Sequence, residues 1–313
     1  MPATVDILLS VYNGESFLQQ QLDSIAGQSY SDWRLILRDD GSSDKSREII
    51  EQFKNNHPEK IEIVKDTKGN IGYNASFMEL MGHATSDYIM LCDHDDFWYP
   101  EKISVLLAAI KDEEKKHNTK GILAFCDLQL TDEKLNITHD SFLRKMRFNA
   151  NNGNQVFFLK NYVPGCSTMF NKALLQEAFK TQNLMGFHDQ WLITLAAAIN
   201  GIVCVNKPLM KYRQHDKNAI GIKADLAQTL GLFIKDALKY AFQNKKYRQL
   251  MYSKNIAQLQ NICSVLPGAV SKEASDFVAI DRSAYISRKL KNISKPYLIG
   301  RSFLEQLTYI ICF

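Results

Sequence analysis

The 313-residue chain is 45% hydrophobic and 23% charged, with a formal charge of +4; this excludes a disordered protein and suffices for one large domain or a domain of roughly 200 residues with an appendage. No run reaches the roughly 18 apolar residues of a membrane-spanning helix, and the opening MPATVDILLSVYNG lacks the basic flank, apolar core and small-residue cleavage site of a signal peptide. A cytoplasmic location is therefore expected, with the six widely spaced cysteines as reduced packing residues, since none forms a CxxC pair.

Val5 to Val11 (VDILLSV) and Trp33 to Arg38 (WRLILR) have the continuous apolar character of buried strands, each followed by turn residues and a helical pattern. Phe17, Leu18, Leu22 and Ile25 predict a helix over 16–26, and Ile49, Ile50 and Phe53 a second over 44–55. Ile61 to Val64 gives a third predicted strand, residues 74–83 a third helix and Tyr88 to Cys92 a fourth strand. This βαβ rhythm predicts an α/β fold whose strands carry ligands at their carboxyl ends. A second block reads as strands over 122–127 and 165–170, helices over 173–179 and 189–200, and a returning strand over 202–205. Strand signals stop near Gly221; beyond it run a helical stripe of Leu226, Leu230, Phe233, Ile234, Leu238 and Phe242 and a second helix over 252–266. We place a boundary there, dividing 1–221 from 222–313.

Polar clusters fall at three strand ends: Tyr12-Asn13-Gly14, Asp39-Asp40-Gly41-Ser42-Ser43 and CDHDD over 92–96. Asp93, Asp95 and Asp96 crowd like charges at the mouth of a buried strand. A hard divalent cation, Mg²⁺ or Mn²⁺, resolves that crowding, because it takes oxygen ligands and keeps positions for waters and phosphates. The alternative is an acidic turn that caps the next helix or pairs with Lys and Arg. In the second loop Ser43 or Asp44 can cap a helix, while Asp40 can accept from a nucleobase N–H and the Tyr12 ring offers a stacking face. Neither a GxGxxG nor a Walker A sequence is present, which removes the main signatures of a dinucleotide dehydrogenase and a P-loop NTPase. His215 and Arg213, in KYRQH, follow a strand-like return and are candidates for the metal shell and for phosphate.

The segments SVYNGESFLQQQLDSIAGQSY, DWRLILRDDGSSD, GNIGYNASF, YIMLCDHDDFWYPEK, GCSTMFNKALL and GFHDQW, taken in order over roughly residues 4–216, resemble family 2 glycosyltransferases of the GT-A fold, in particular the bacterial rhamnosyltransferase-like branch. The resemblance implies a Rossmann-like mixed sheet flanked by helices and an inverting transfer from a nucleotide-diphospho-sugar to a glycan or lipid-linked glycan acceptor in cell-surface polysaccharide synthesis. It implies Asp93 and Asp95 for the metal-diphosphate and Tyr12 and Asp40 for the base; the strand-end clusters add Ser10, Asn13 and Asp93 for the nucleotide and His215 for the metal, a solvated loop histidine being the alternative for the last. Asp189 takes the catalytic-base position, and Asp96, Trp98, Gly165, His188, Trp191 and Arg213 are weaker donor or acceptor contacts. Through the branch, dTDP-rhamnose is the favoured donor, with a UDP-hexose or UDP-N-acetylhexosamine as the alternative. One departure stands out: relatives often carry Arg-Asn before the Phe of the third helix, whereas this chain has Ala75-Ser76-Phe77. A noncatalytic nucleotide-sugar or glycan-binding module is the rival reading.

Residues 222–313 hold 14 Lys/Arg against 6 Asp/Glu, a net +8, while 1–221 carry 24 against 28, a net −4. Such a basic helical tail suits the anionic inner face of the cell membrane. Packing on the globular part or on a second copy, as a homo-oligomer, is the plainer alternative. Nucleic acid is not expected as a partner, because the tail has neither a recognisable nucleic-acid motif nor an aromatic-rich single-strand platform.

Overall fold

The computed structural model describes residues 3–116, 121–148, 153–158, 163–181, 187–216 and 245–281. Its first half alternates β1 (Val5–Val11), α1 (Leu18–Ala26), β2 (Trp33–Asp39), α2 (Ser46–Asn56), β3 (Ile61–Ile63), α3 (Tyr73–His83) and β4 (Tyr88–Cys92). All seven residues of β1 and all five of β4 are buried, as expected of strands covered on both faces. The chain continues through β5 (Phe97–Trp98), α4 (Lys102–Lys116), β6 (Leu123–Thr131), β7 (Ile137–His139), α5 (Phe142–Lys145), β8 (Thr168–Asn171), α6 (Lys172–Lys180), α7 (His188–Ala198) and β9 (Ile202–Arg213).

One sheet contains every described strand in the order β3-β2-β1-β4-β8-β6-β9-β5, with β7 paired to β6. Strands β3, β2, β1 and β4 are parallel, and β8 inserts antiparallel between β4 and β6. Because β9 runs parallel to β6, the carboxyl ends of β1, β2, β4, β6 and β9 share one edge, and the turn that enters β8 joins them. The chain reverses its strand order beside β1, where ligands collect in such sheets.

The second block differs from its expected elements in two places. Residues 165–167 form a 3₁₀ turn, so β8 begins only at Thr168. The returning strand runs on from 202 to Arg213, past Pro208, because Pro208 falls at a register shift against β6 where no ladder N–H is required. That extension delivers Arg213 and His215 to the ligand edge.

Beyond the boundary proposed near residue 221, α8 (Lys245–Val265) and α9 (Lys272–Asp281) are described. They pack on the first part of the chain: Ser271 N–H donates to the Ala198 carbonyl at 2.7 Å, and the Phe277 and Phe158 rings meet at 5.3 Å. The predicted stripe over 226–242 and the apolar segment over 302–313 lie outside the described residues. Among the described residues no helix is long and apolar enough to cross a membrane, and Cys92, Cys126, Cys166, Cys204 and Cys263 are thiols rather than disulfides.

Candidate active site

The loops after β1 and β2 hold each other. Asn13 stands at φ 49°, in the left-handed region that asparagine tolerates, and its Oδ1 accepts from Ser43 N–H at 2.9 Å. Its own N–H donates to Ser42 Oγ at 3.0 Å, and Gly14 N–H donates to Ser46 Oγ at 2.8 Å. Beside them Gly41, at φ 81°, lies so near the next segment that a Cβ would stand 2.9 Å from Asn70 N; only glycine fits both demands. Tyr12 projects from this scaffold with 49% of its surface exposed, free to present a ring face.

Asp40 is 1% exposed. Its Oδ1 accepts from the Arg38 guanidinium and from Ile71 N–H at 2.9 Å, and its Oδ2 accepts from Gly72 N–H at 2.9 Å. Three of a carboxylate's roughly four acceptor sites are thereby occupied. Arg38 also reaches Asp66 at 2.7 and 3.2 Å and Ser76 Oγ at 3.2 Å, while Ser10 Oγ donates to Ser76 Oγ at 2.7 Å. At the Ala75-Ser76-Phe77 departure, a guanidinium thus arrives from β2 instead of from the third helix.

A cavity of about 1060 Å³ opens above the strand ends, lined by Ser10, Tyr12, Asn13, Asp40, Asp93, Asp95, Gly165, His188, Asp189 and His215 among others. At its floor the carboxyl of Asp93 is pushed up to about 7, first by burial and then by the charge of Asp95. Asp96, fully buried, is raised well above the ordinary range for the same two reasons. Burial alone would raise Asp95 too, but the hydrogen bond from His215, at 2.8 Å to Oδ2, helps to hold it below the ordinary value. Ligand atoms of Asp93, Asp96 and Cys166 lie within 4.8 Å of one another, and Asp96 Oδ2 is buried without a hydrogen-bond partner among the described residues. Three acids crowded on one loop, two of them opening on the cavity, supply the oxygen donors that a divalent cation takes. Asp93 with Asp95 faces the cavity, and Asp96 with Cys166 stands behind.

Arg213, 1% exposed, clamps the acidic loop from behind: its N–H donates to Asp96 Oδ1 at 3.1 Å, its Nε to the Asp95 carbonyl at 2.6 Å and its guanidinium also to the Glu133 carbonyl. Across the cavity Asp189, half-buried, occupies the first turn of α7 with its Oδ1 accepting from Gln190 N–H at 2.7 Å. There it lies at the positive end of the helix dipole. Asp189 adds to the field acting on Asp93, so this carboxylate and the acidic floor sense each other.

The Glycosyl transferase family 2 model matches residues 6–179, more than half of the chain. The chain belongs to this family. It is similar to the dTDP-rhamnosyl transferase RfbG of Shigella flexneri, at 26% identity over 226 residues covering 68% of this chain and 73% of that protein. An uncharacterized glycosyltransferase of Haemophilus influenzae is 39% identical over 133 residues, and the match spans about half of that relative, 51%, and 42% of this chain. Among solved structures, S. aureus TarS 1-349 in complex with UDP aligns with a TM-score of 0.56 at 13% identity, covering 99% of this chain and 78% of that one. The mannosyltransferase PcManGT of Pyrobaculum calidifontis, in complex with GDP-Man and Mn²⁺, aligns at 0.53 and 16% identity over 100% and 86%. The GT-A fold expected from the sequence is the fold observed.

In this family 2 glycosyltransferase ten of the nominated residues line one cavity, but four do not. Asp96 and Arg213 stand behind the acidic floor. Trp98, 1% exposed, packs under the Lys102 ammonium at 3.6 Å, and Trp191, 1% exposed, donates its Nε1 to Thr181 Oγ1 at 2.9 Å. These four brace the site and offer the cavity no contact surface. Sequence reasoning passed over Lys102, a fully buried cation donating to the Cys166 carbonyl at 2.6 Å, and Asn74, which caps α7 from α3 by accepting His188 N–H at 2.6 Å. A lysine inside a helical stripe was the available signal for the first. Nothing local marks the second, whose partner is 114 residues away.

Proposed function

We propose that the protein is an inverting, metal-dependent glycosyltransferase that moves a sugar from a nucleotide-diphospho-sugar to a glycan or lipid-linked acceptor in cell-surface polysaccharide assembly. The observation that carries this reading is Asp189 at the helix N-terminus, facing the Asp93 and Asp95 floor across a cavity large enough for a nucleotide-sugar. Tyr12 stacks on the base while the remaining acceptor site of Asp40 takes a base N–H, with Ser10 and Asn13 along the same wall. Asp93 and Asp95 would hold a Mg²⁺ or Mn²⁺ ion, and the hydrogen bond from His215 to Asp95 would orient that carboxylate for it. When bound, that ion supplies the positive charge that stabilises the leaving diphosphate. Asp189 accepts the proton of the acceptor hydroxyl as it attacks the anomeric carbon from the face opposite the diphosphate, and configuration inverts. Asp189 suits this role better than Asp95 or Asp96, since a carboxylate beside a cation loses basicity.

Similarity to the S. flexneri enzyme favours dTDP-rhamnose as donor, with a UDP-sugar as the alternative. The 222–313 tail is read as a basic element that meets an anionic membrane surface through residues outside α8 and α9, since those two helices pack on the globular part. Two variants test the chemistry. Asp189→Asn is expected to bind nucleotide diphosphate as wild type while losing transfer by about 10²-fold or more; Asp95→Asn is expected to lose metal-supported nucleotide binding itself. Substantial transfer by Asp189→Asn reassigns the base, and equal nucleotide affinity for Asp95→Asn with metal present removes the metal role.

A further inference from the structure

His188 sits beside Asp189 with 6% of its surface exposed, its ring stacked on Phe77 of α3 at 4.3 Å. Its tautomer follows from geometry. Asn74 presents the same side-chain atom to His188 N–H at 2.6 Å and to His188 Nδ1 at 3.2 Å. A backbone N–H can only donate, so that atom is the amide oxygen, and Nδ1 must carry the proton it gives to this oxygen. Burial keeps the imidazole below its ordinary pKa. The ring is therefore neutral near pH 7, and its Nε2 is a bare acceptor.

Nε2 has no hydrogen-bond partner among the described residues, and His188 lines the cavity. Gly165 packs close beside both side chains: a Cβ there would lie 3.5 Å from His188 Nε2, 3.2 Å from Asp189 Cβ and 3.3 Å from Leu91 Cδ1. A neutral acceptor and a carboxylate, consecutive in the first turn of α7, thus line one cavity. We propose that His188, locked as the Nδ1–H tautomer by Asn74, accepts a hydrogen bond from a second hydroxyl of the acceptor sugar whose reacting hydroxyl is deprotonated by Asp189. A vicinal diol matches two acceptors set side by side. This rests on Asp189 being the base. Asn74 is a positioning residue: it fixes the tautomer and, by capping α7, the place of both side chains.

Replacement by two amides separates binding from a merely structural clasp between α3 and α7. Glutamine carries an acceptor near the Nε2 position, whereas asparagine mimics Nδ1 and keeps the link to Asn74. With p-nitrophenyl rhamnoside, glucoside and N-acetylglucosaminide as acceptor probes, His188→Gln is expected to retain most transfer, and His188→Asn to lose about 10-fold in kcat/KM for the acceptor at unchanged donor KM. The reverse order, or equal activity, overturns the proposal.

Asn74→Asp gives a readout that survives poor folding of the His188 variants. A carboxylate keeps both hydrogen bonds but favours the imidazolium, whose Nε2 donates and cannot accept. The charged side chain on its own helix is Asp189; from α3 it meets Asn74, Tyr73 and Phe77 and from the other side Gly165, none of them charged at neutral pH. Transfer by Asn74→Asp must therefore fall, relative to wild type, as pH is lowered through neutrality. A profile that overlays wild type overturns the tautomer lock. Asp189→Asn runs alongside: lost transfer there with indistinguishable His188 amides overturns the His188 assignment alone, whereas full transfer there overturns the base reading and the acceptor assignment with it.

Discussion

Asp40→Ala removes a carboxylate that is 1% exposed and leaves the N–H groups of Ile71 and Gly72, each 2.9 Å from it, without an acceptor, together with one arm of the Arg38 guanidinium. A buried donor left unsatisfied costs about 1–3 kcal/mol, and deleting one partner of a buried ion pair about 3–5 kcal/mol. The two figures overlap. Arg38 also keeps Asp66, at 2.7 and 3.2 Å, so its charge is not stranded and the net loss is expected at about 3–5 kcal/mol, a large share of the about 5–15 kcal/mol that stabilises a folded protein. Asp40→Asn restores one oxygen and should cost about half as much. Urea unfolding followed by tryptophan fluorescence reads the effect as a midpoint lowered by about 1–2 M. Nucleotide diphosphate affinity should fall in parallel, because Asp40 ties Ile71 and Gly72 to the cavity wall. A stability change below about 0.5 kcal/mol would refute the claim that Asp40 organises this wall.

Asp93, with its carboxyl near 7 in the metal-free protein, should bind Mn²⁺ or Mg²⁺ more tightly as pH rises through 6–8 and release protons on binding, which calorimetry in buffers of different ionisation enthalpy measures. The same raised pKa carries a sign for stability: the folded state holds the extra proton, so metal-free stability should decline as pH rises from about 4 to about 7, and added metal should restore it. Gly165→Ala places a Cβ 3.2 Å from Asp189 Cβ and 3.3 Å from Leu91 Cδ1; transfer should fall while nucleotide diphosphate binding, followed by calorimetry, persists. Removal of residues 222–313 should abolish the low-salt cosedimentation with anionic vesicles expected of the full chain, and equal binding by a folded truncated protein would dismiss the tail as anchor.

What the sequence revealed, and what it hid, divides by the range of the interactions. Strands such as VDILLSV declare themselves by continuous burial, and the acids at their ends are local in sequence, so Asp93, Asp95, Tyr12 and Asp40 were found together in one cavity. The 165–167 turn was read as strand because Gly-Cys-Ser carries no periodicity that separates a 3₁₀ turn from extended chain. Trp98 and Trp191 came only with the resemblance, and both side chains are buried in the core. The linkages that hold the site, Arg38 to Ser76, Asn74 to His188 and Arg213 to Asp96, join residues 38, 114 and 117 positions apart. No local pattern encodes such pairs.

Turnover of a panel of dTDP-, UDP- and GDP-sugars, with Mg²⁺, with Mn²⁺ and with neither, tests the catalytic reading most directly when the anomeric configuration of the product is determined by NMR. Metal-dependent consumption of at least one donor, giving product of inverted configuration, is the predicted result. Tight nucleotide binding with no turnover of any donor under either cation, or a product of retained configuration, would contradict it.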